Sequence, residues 1–80
     1  MTIEQDMAEL RSRLIVLRQR MLDRELHEQD VWSEMERCEH LLESCREPEP
    51  KTQLELIYSL LAVVWQNLRE LRSLRDHLAG

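Results

Sequence analysis

"EPEPK", residues 47–51, holds both prolines of an 80-residue chain whose only glycine is Gly80. Proline lacks an amide hydrogen and pushes the residue before it out of the α region, so Pro48 and Pro50 end a helix arriving from the left. The stretch reads as the turn between two helices. A capping box follows it at Thr52 and Glu55, and a second opens the chain at Thr2 and Gln5, where hydroxyl and N3 side chain satisfy amides that lack helical partners.

To the left, Ile3, Met7, Leu10, Leu14, Leu17 and Met21 step by four and three residues, and the register resumes at Val31, Met35, Cys38, Leu42 and Cys45. This predicts helix 1 over about 3–46. The heptad positions between the two runs are Arg24 and Glu28, both charged. One reading is a continuous helix whose polar core positions set register; the other is a hinge that splits helix 1. The lack of glycine and proline favours continuity. To the right, Leu54, Ile57, Leu61, Val64, Leu68, Leu71 and Leu78 predict helix 2 over about 52–78. No Asn-Gly or Asp-Gly pair or β-branched run argues for strands. The expectation is an all-α, coiled-coil-like antiparallel two-helix hairpin, one domain over 1–80. Its core pairs Met21, Val31, Met35, Cys38 and Leu42 with Leu54, Ile57, Leu61, Val64, Leu68 and Leu71.

The apolar residues outnumber what such a hairpin hides. Residues 54–65, "LELIYSLLAVVW", sit in a chain with 11 basic and 16 acidic residues. Leu56, Leu60, Val63 and Leu74 form a stripe beside the heptad one, with Tyr58 and Trp65 on the other flank. A lone hairpin buries only the stripe facing its partner helix, and exposed apolar patches mark interfaces. Helix 1 is also longer than helix 2, about 65 Å against about 40 Å at 1.5 Å per residue. Ile3, Met7, Leu10, Leu14 and Leu17 therefore overhang, flanked by Ala8, Ile15, Leu22 and Leu26. Overhang and second stripe together predict a protein interface. The economical way to cover it is a two-fold dimer of hairpins in a four-helix arrangement; an amphipathic helix of a partner protein would serve equally. A chain this short is marginal alone, which points the same way.

Charge supports the antiparallel orientation, because pairing brings Arg69, Arg72 and Arg75 beside Asp23, Glu25 and Glu28, and Trp32 within a turn of Trp65. Net charge is −5 and the pI about 5.1. Arg11, Arg13, Arg18, Arg20 and Arg24 make a basic segment, yet they divide between two sides of the helix, and a nucleic-acid binder shows a basic stripe and a high pI. The apolar run is shorter than the roughly 20 residues of a membrane span, and no signal peptide opens the chain.

The chemical constellations are thin. Cys38 and Cys45 lie seven residues apart, about 10 Å along one helix, too far for a bridge; with the missing signal this points to a reducing, cytoplasmic setting. Cys38, His40 and Cys45 diverge around the helix, so no tetrahedral metal site forms. Glu36, His40 and Ser44 share a surface but lack a concave, partly dry pocket. No catalysis, metal, cofactor or small-molecule substrate is expected. The reading is a non-catalytic protein–protein interaction module, a small adaptor, chaperone or assembly factor. The alternatives are a structural coiled-coil oligomerisation module and, third, a nucleic-acid-associated regulator. In layout, two helices and a proline-marked turn, the chain resembles the small helical-hairpin chaperones that bind needle subunits of type III secretion systems; the resemblance implies client docking through helix 2.

Overall fold

The computed structural model describes residues 3–79, so the Thr2 half of the first capping box lies outside the described residues. The chain is all-helical, with α1 over Ile3–Leu22, α2 over Glu28–Ser44 and α3 over Pro48–Ala79. No strand occurs among the described residues. The long helix expected over 3–46 is therefore two helices, and the hinge reading describes the chain.

Local chemistry explains the break. Arg24 takes a left-handed conformation with φ 61°. Its N–H donates to the Met21 carbonyl at 3.1 Å, and the Glu25 N–H reaches back to the Arg20 carbonyl at 2.8 Å. These two bonds are the paired closure of a Schellman motif, in which glycine usually holds the left-handed position. Arginine holds it here, at the steric cost that a Cβ incurs in that region. The restart is equally specific. The His27 N–H donates to Asp30 Oδ2 at 3.1 Å, the reciprocal arm of a capping box. Leu26 packs on the core cluster to which Val31 belongs, the spacing of a hydrophobic staple.

The second reversal occupies Cys45–Glu47, and both prolines fall inside the first turn of α3. The first amides of a helix have no intrahelical partner, so prolines cost nothing there. The first turn closes by the Lys51 N–H donating to the Glu47 carbonyl at 3.2 Å. The turn expected over 47–51 thus lies two residues earlier, and the prolines start a helix besides excluding the previous one. Thr52 sits within the helix and donates to the Pro48 carbonyl at 2.9 Å, so it is no cap.

Cross-helix pairs fix the directions. Glu9 and Arg37, Arg13 and Glu34, and Arg20 and Asp30 run α1 antiparallel to α2. Tyr58 with Glu39, Trp65 with Trp32 and Arg72 with Glu28 run α3 antiparallel to α2. Met7, Leu10, Val31, Met35, Cys38, Leu54 and Leu61 form one buried cluster drawn from all three helices. Folding α1 back is what buries its apolar face: the overhang expected from a 65 Å helix is taken up within the chain. The molecule measures 49 × 20 × 15 Å, and α3, with 32 residues, is long enough at 1.5 Å per residue to span that axis. α1 and α2, with 20 and 17 residues, are shorter. Arg72 meets Glu28 at the first turn of α2 at 3.3 Å, and α3 continues past that point uncovered. No helix of the described residues is long and apolar enough to cross a membrane.

A candidate protein-binding face on α3

Two apolar stripes run along α3, and their periods differ. The inner one, Leu54, Ile57, Leu61, Val64, Leu68 and Leu71, repeats every 3.5 residues and drifts about 20° per heptad around a straight helix. Leu54 and Leu61 at its start are buried, Ile57, Val64 and Leu68 are half-buried, and Leu71 is 56% exposed. The drift carries the later members off the surface that faces α2. Tyr58, Trp65 and Arg72 lie closer to that surface. Tyr58 donates from its hydroxyl to Glu39 Oε1 at 2.9 Å, and this bond holds its phenol above the ordinary value of 10.0. The Trp65 ring lies 5.2 Å from that of Trp32, centre to centre, tilted by 45°, with the Arg69 guanidinium 4.9 Å over its face.

The outer stripe comprises Leu56, Leu60, Val63, Leu71, Leu74 and Leu78. All six are more than half exposed, from 56% at Leu71 to 83% at Leu78. With the exposed Asn67 they step 4-3-4-4-3-4, about 3.67 residues per turn. That is close to the 3.6 of a straight helix, so the stripe stays on one side from end to end. It is centred roughly 120° around α3 from the buried stripe, by 100° per residue.

The structure divides the residues expected at an interface. Leu56, Leu60 and Val63 are exposed; Met7 and Leu10 are buried in the core, and Ile3, Leu14, Leu17, Tyr58 and Trp65 pack against it half-buried. Among the residues expected in the hairpin core, Val31, Met35, Cys38, Leu54 and Leu61 are buried and Leu42 is half-buried, whereas Met21 and Leu71 are more than half exposed. The drift accounts for Leu71; Met21 lies at the same angle around α1 as Met7 and Leu10 and is exposed at the far end of that helix, next to Leu22. A second, shorter exposed group lies on α1, at Ile15, Val16, Met21 and Leu22.

Periodicity passed over one buried residue, Glu34. It is 4% exposed, and Arg13 Nε holds its Oε1 at 2.7 Å while Arg37 Nε stands 3.5 Å from its Oε2. The two arginine side chains are about 40% exposed as a whole, although Arg37 Nε is buried and, like Glu34 Oε2, makes no hydrogen bond, so of the three side chains the carboxylate depends most on being paired. Arg20 pairs with Asp30 at 2.9 Å. Two arginines of the basic segment in α1 are thus committed to acids of α2. Of the three arginines expected to face the acidic stretch 23–28, Arg72 does so, while Arg69 caps Trp65.

Ser44 donates to the backbone carbonyls of His40 and Leu41 at 3.4 and 3.3 Å, an ordinary helical arrangement. Among the described residues no three His, Cys, Asp or Glu side chains gather as a metal would need. Cys38 is buried, and burial, with Glu34 nearby, pushes its thiol from 9.0 up to about 11, so it stays protonated at neutral pH. Cys45 is half-buried in the second reversal, also unpaired. A cleft of about 500 Å³ lies between the starts of α1 and α3 and is lined by Ile3, Met7, Arg11, Pro48, Pro50 and Gln53 with three glutamates. The described residues that line it include no thiol, imidazole or hydroxyl. No family model matches the chain, and no curated protein or solved structure matches it.

Proposed function

We propose that this chain is a non-catalytic protein-binding module that acts through the outer face of α3, as a small adaptor, chaperone or assembly factor. The observation that carries this reading is the straight stripe of exposed Leu56, Leu60, Val63, Leu71, Leu74 and Leu78, interrupted only by the polar Asn67. Scattered apolar residues on a surface need no explanation, but a contiguous row does. A straight row at helical spacing is the surface that another helix docks onto, side chain into groove. The rigid support beneath it comes from α2 and the folded-back α1. Two free thiols suit a reducing compartment.

The test is photo-crosslinking in the native host with a photoreactive residue at Leu60 or Leu74, and at the exposed polar position Arg18 as control. Covalent protein adducts are expected from the two α3 positions and not from Arg18. If Leu60 and Leu74 give no more adduct than Arg18, the outer face is not a contact and the reading is lost.

A further inference from the structure

The outer stripe has an internal symmetry that the inner one lacks. Leu56 and Leu78 lie eleven residues on either side of Asn67, Leu60 and Leu74 seven, and Val63 and Leu71 four. The pattern reads the same in both chain directions. From this, resting on the reading of the outer face as a protein-binding surface, we infer that its occupant is a second copy of the chain: two α3 helices pack antiparallel along their outer stripes, with the two-fold axis passing at Asn67.

In that register each apolar side chain meets one of its own kind. Leu56 lies against Leu78 of the second copy, Leu60 against its Leu74 and Val63 against its Leu71. Asn67 meets its own equivalent on the axis. An asparagine amide carries both donor and acceptor, so two can pair across a two-fold. A polar residue at one position of an apolar seam disfavours every register that leaves it facing a leucine. Slipping the helices by one turn would break that pairing and all three apolar matches.

Area and charge agree with this occupant. Six large side chains more than half exposed offer roughly 100 Å² each, about 600 Å² per copy and about 1,200 Å² for the pair, at the threshold of a stable specific interface. The N-terminal half of α3 carries Glu49 and Glu55 against Lys51, one net negative charge, and lies beside the half of α2 bearing Glu36, Glu39 and Glu43. The C-terminal half carries Arg69, Arg72 and Arg75 against Glu70 and Asp76, one net positive charge. Antiparallel packing sets acidic half on basic half; parallel packing sets like on like. The C-terminal turns of α3, which α2 does not reach, would lie along the supported half of the other copy.

Cysteine cross-linking separates the registers. Three variants are needed, each with Cys45→Ser so that only the buried Cys38 thiol accompanies the new one: Asn67→Cys, Leu60→Cys and Leu74→Cys. Under mild oxidation at about 10 μM protein, Asn67→Cys is expected to form a disulfide-linked dimer on the order of 100-fold faster than Leu60→Cys alone, since proximity replaces collision at that concentration with an effective concentration of about 1 mM. Leu60→Cys and Leu74→Cys are each expected to stay unlinked alone and to link when mixed. All three positions are exposed, and the helical circular-dichroism signal with the light-scattering mass of the unmutated chain guards against misreading a folding defect. Fast self-linking by all three variants would mean parallel packing and overturn the proposal. So would a monomeric mass at high concentration with no linking. If photo-adducts at Leu60 and Leu74 then identify a different protein, the binding face survives and only the second copy is lost; if neither method yields a contact, both fall.

Discussion

The inner and outer faces of α3 are built from the same residue types, yet one is a core and the other a surface. The inner face meets α2 as far as Arg72 and is buried best near Leu54 and Leu61. The outer face is more than half exposed from Leu56 to Leu78 and packs into no buried cluster among the described residues. Leucine content does not separate them. What does is whether another element lies opposite, and α1 and α2 together are too short to cover more than one side. The fold therefore buries one stripe and leaves the other exposed.

The sharpest way to break this comparison is the same truncation on each face. Leu54→Ala, at a fully buried site, is expected to cost about 2–5 kcal/mol, whereas Leu60→Ala should change the stability of the dilute chain by less than about 0.5 kcal/mol. Urea unfolding at low protein concentration checks both, and equal losses would mean that the outer face is covered. Next comes the buried charge beneath α1. Arg13→Met leaves the Glu34 carboxylate buried with only the longer Arg37 contact, and is expected to cost about 1–3 kcal/mol. Glu34→Met, which leaves two arginines free to reach water, should be near neutral. A reversed order in thermal melting would show that the arginines, and not the carboxylate, depend on the pair.

Alkaline titration compares the two thiols. The folded Cys38 value of about 11 lies above the ordinary 9.0, so the unfolded chain gives up its proton first. The stability contributed by keeping Cys38 protonated is complete below pH 9 and is lost as pH rises through about 11. The stability measured by unfolding over that window should fall as pH rises, and Cys38→Ala should flatten the dependence. At neutral pH iodoacetamide should label Cys45 well before Cys38. The smallest effect is a gain: Arg24→Gly relieves a left-handed arginine and should stabilise by about 0.5–1 kcal/mol, read as a small rise in melting temperature.

Helical class, the two-stripe character of α3 and the cross-pairing of Trp32 with Trp65 were all legible in the residues. The break at Asp23–His27 was half legible. Charged Arg24 and Glu28 in core positions flagged it, but the usual glycine of the helix stop is replaced by arginine, which hid the Schellman closure. The signals that remained were the Asp30 side chain three residues after His27 and the Leu26 to Val31 spacing. The prolines were legible as punctuation while their side of the boundary was not, because a first-turn proline and a terminating proline look alike without coordinates. Leu71 reads as core on a strict heptad, which a straight helix does not keep, whereas Met21 is on the buried face of α1 by angle and is exposed because it stands at the end of that helix. A continuous helix leaves Met7 and Leu10 unpartnered, whereas the hinge reading, with α1 folded back, buries both. With three helices in place of two, the layout that resembles hairpin chaperones of type III secretion is not the one the chain adopts.

The stacked pair of Trp32 and Trp65 makes a native optical gauge. They are the chain's only tryptophans, their rings are 5.2 Å apart on different helices, and Arg69 covers one of them. Ultraviolet emission and the coupled indole bands of circular dichroism therefore report one event, the docking of α2 on α3, without any attached dye. Neither ring belongs to the outer row, so a partner could land there and leave this signal largely undisturbed, letting folding and assembly be watched on separate channels.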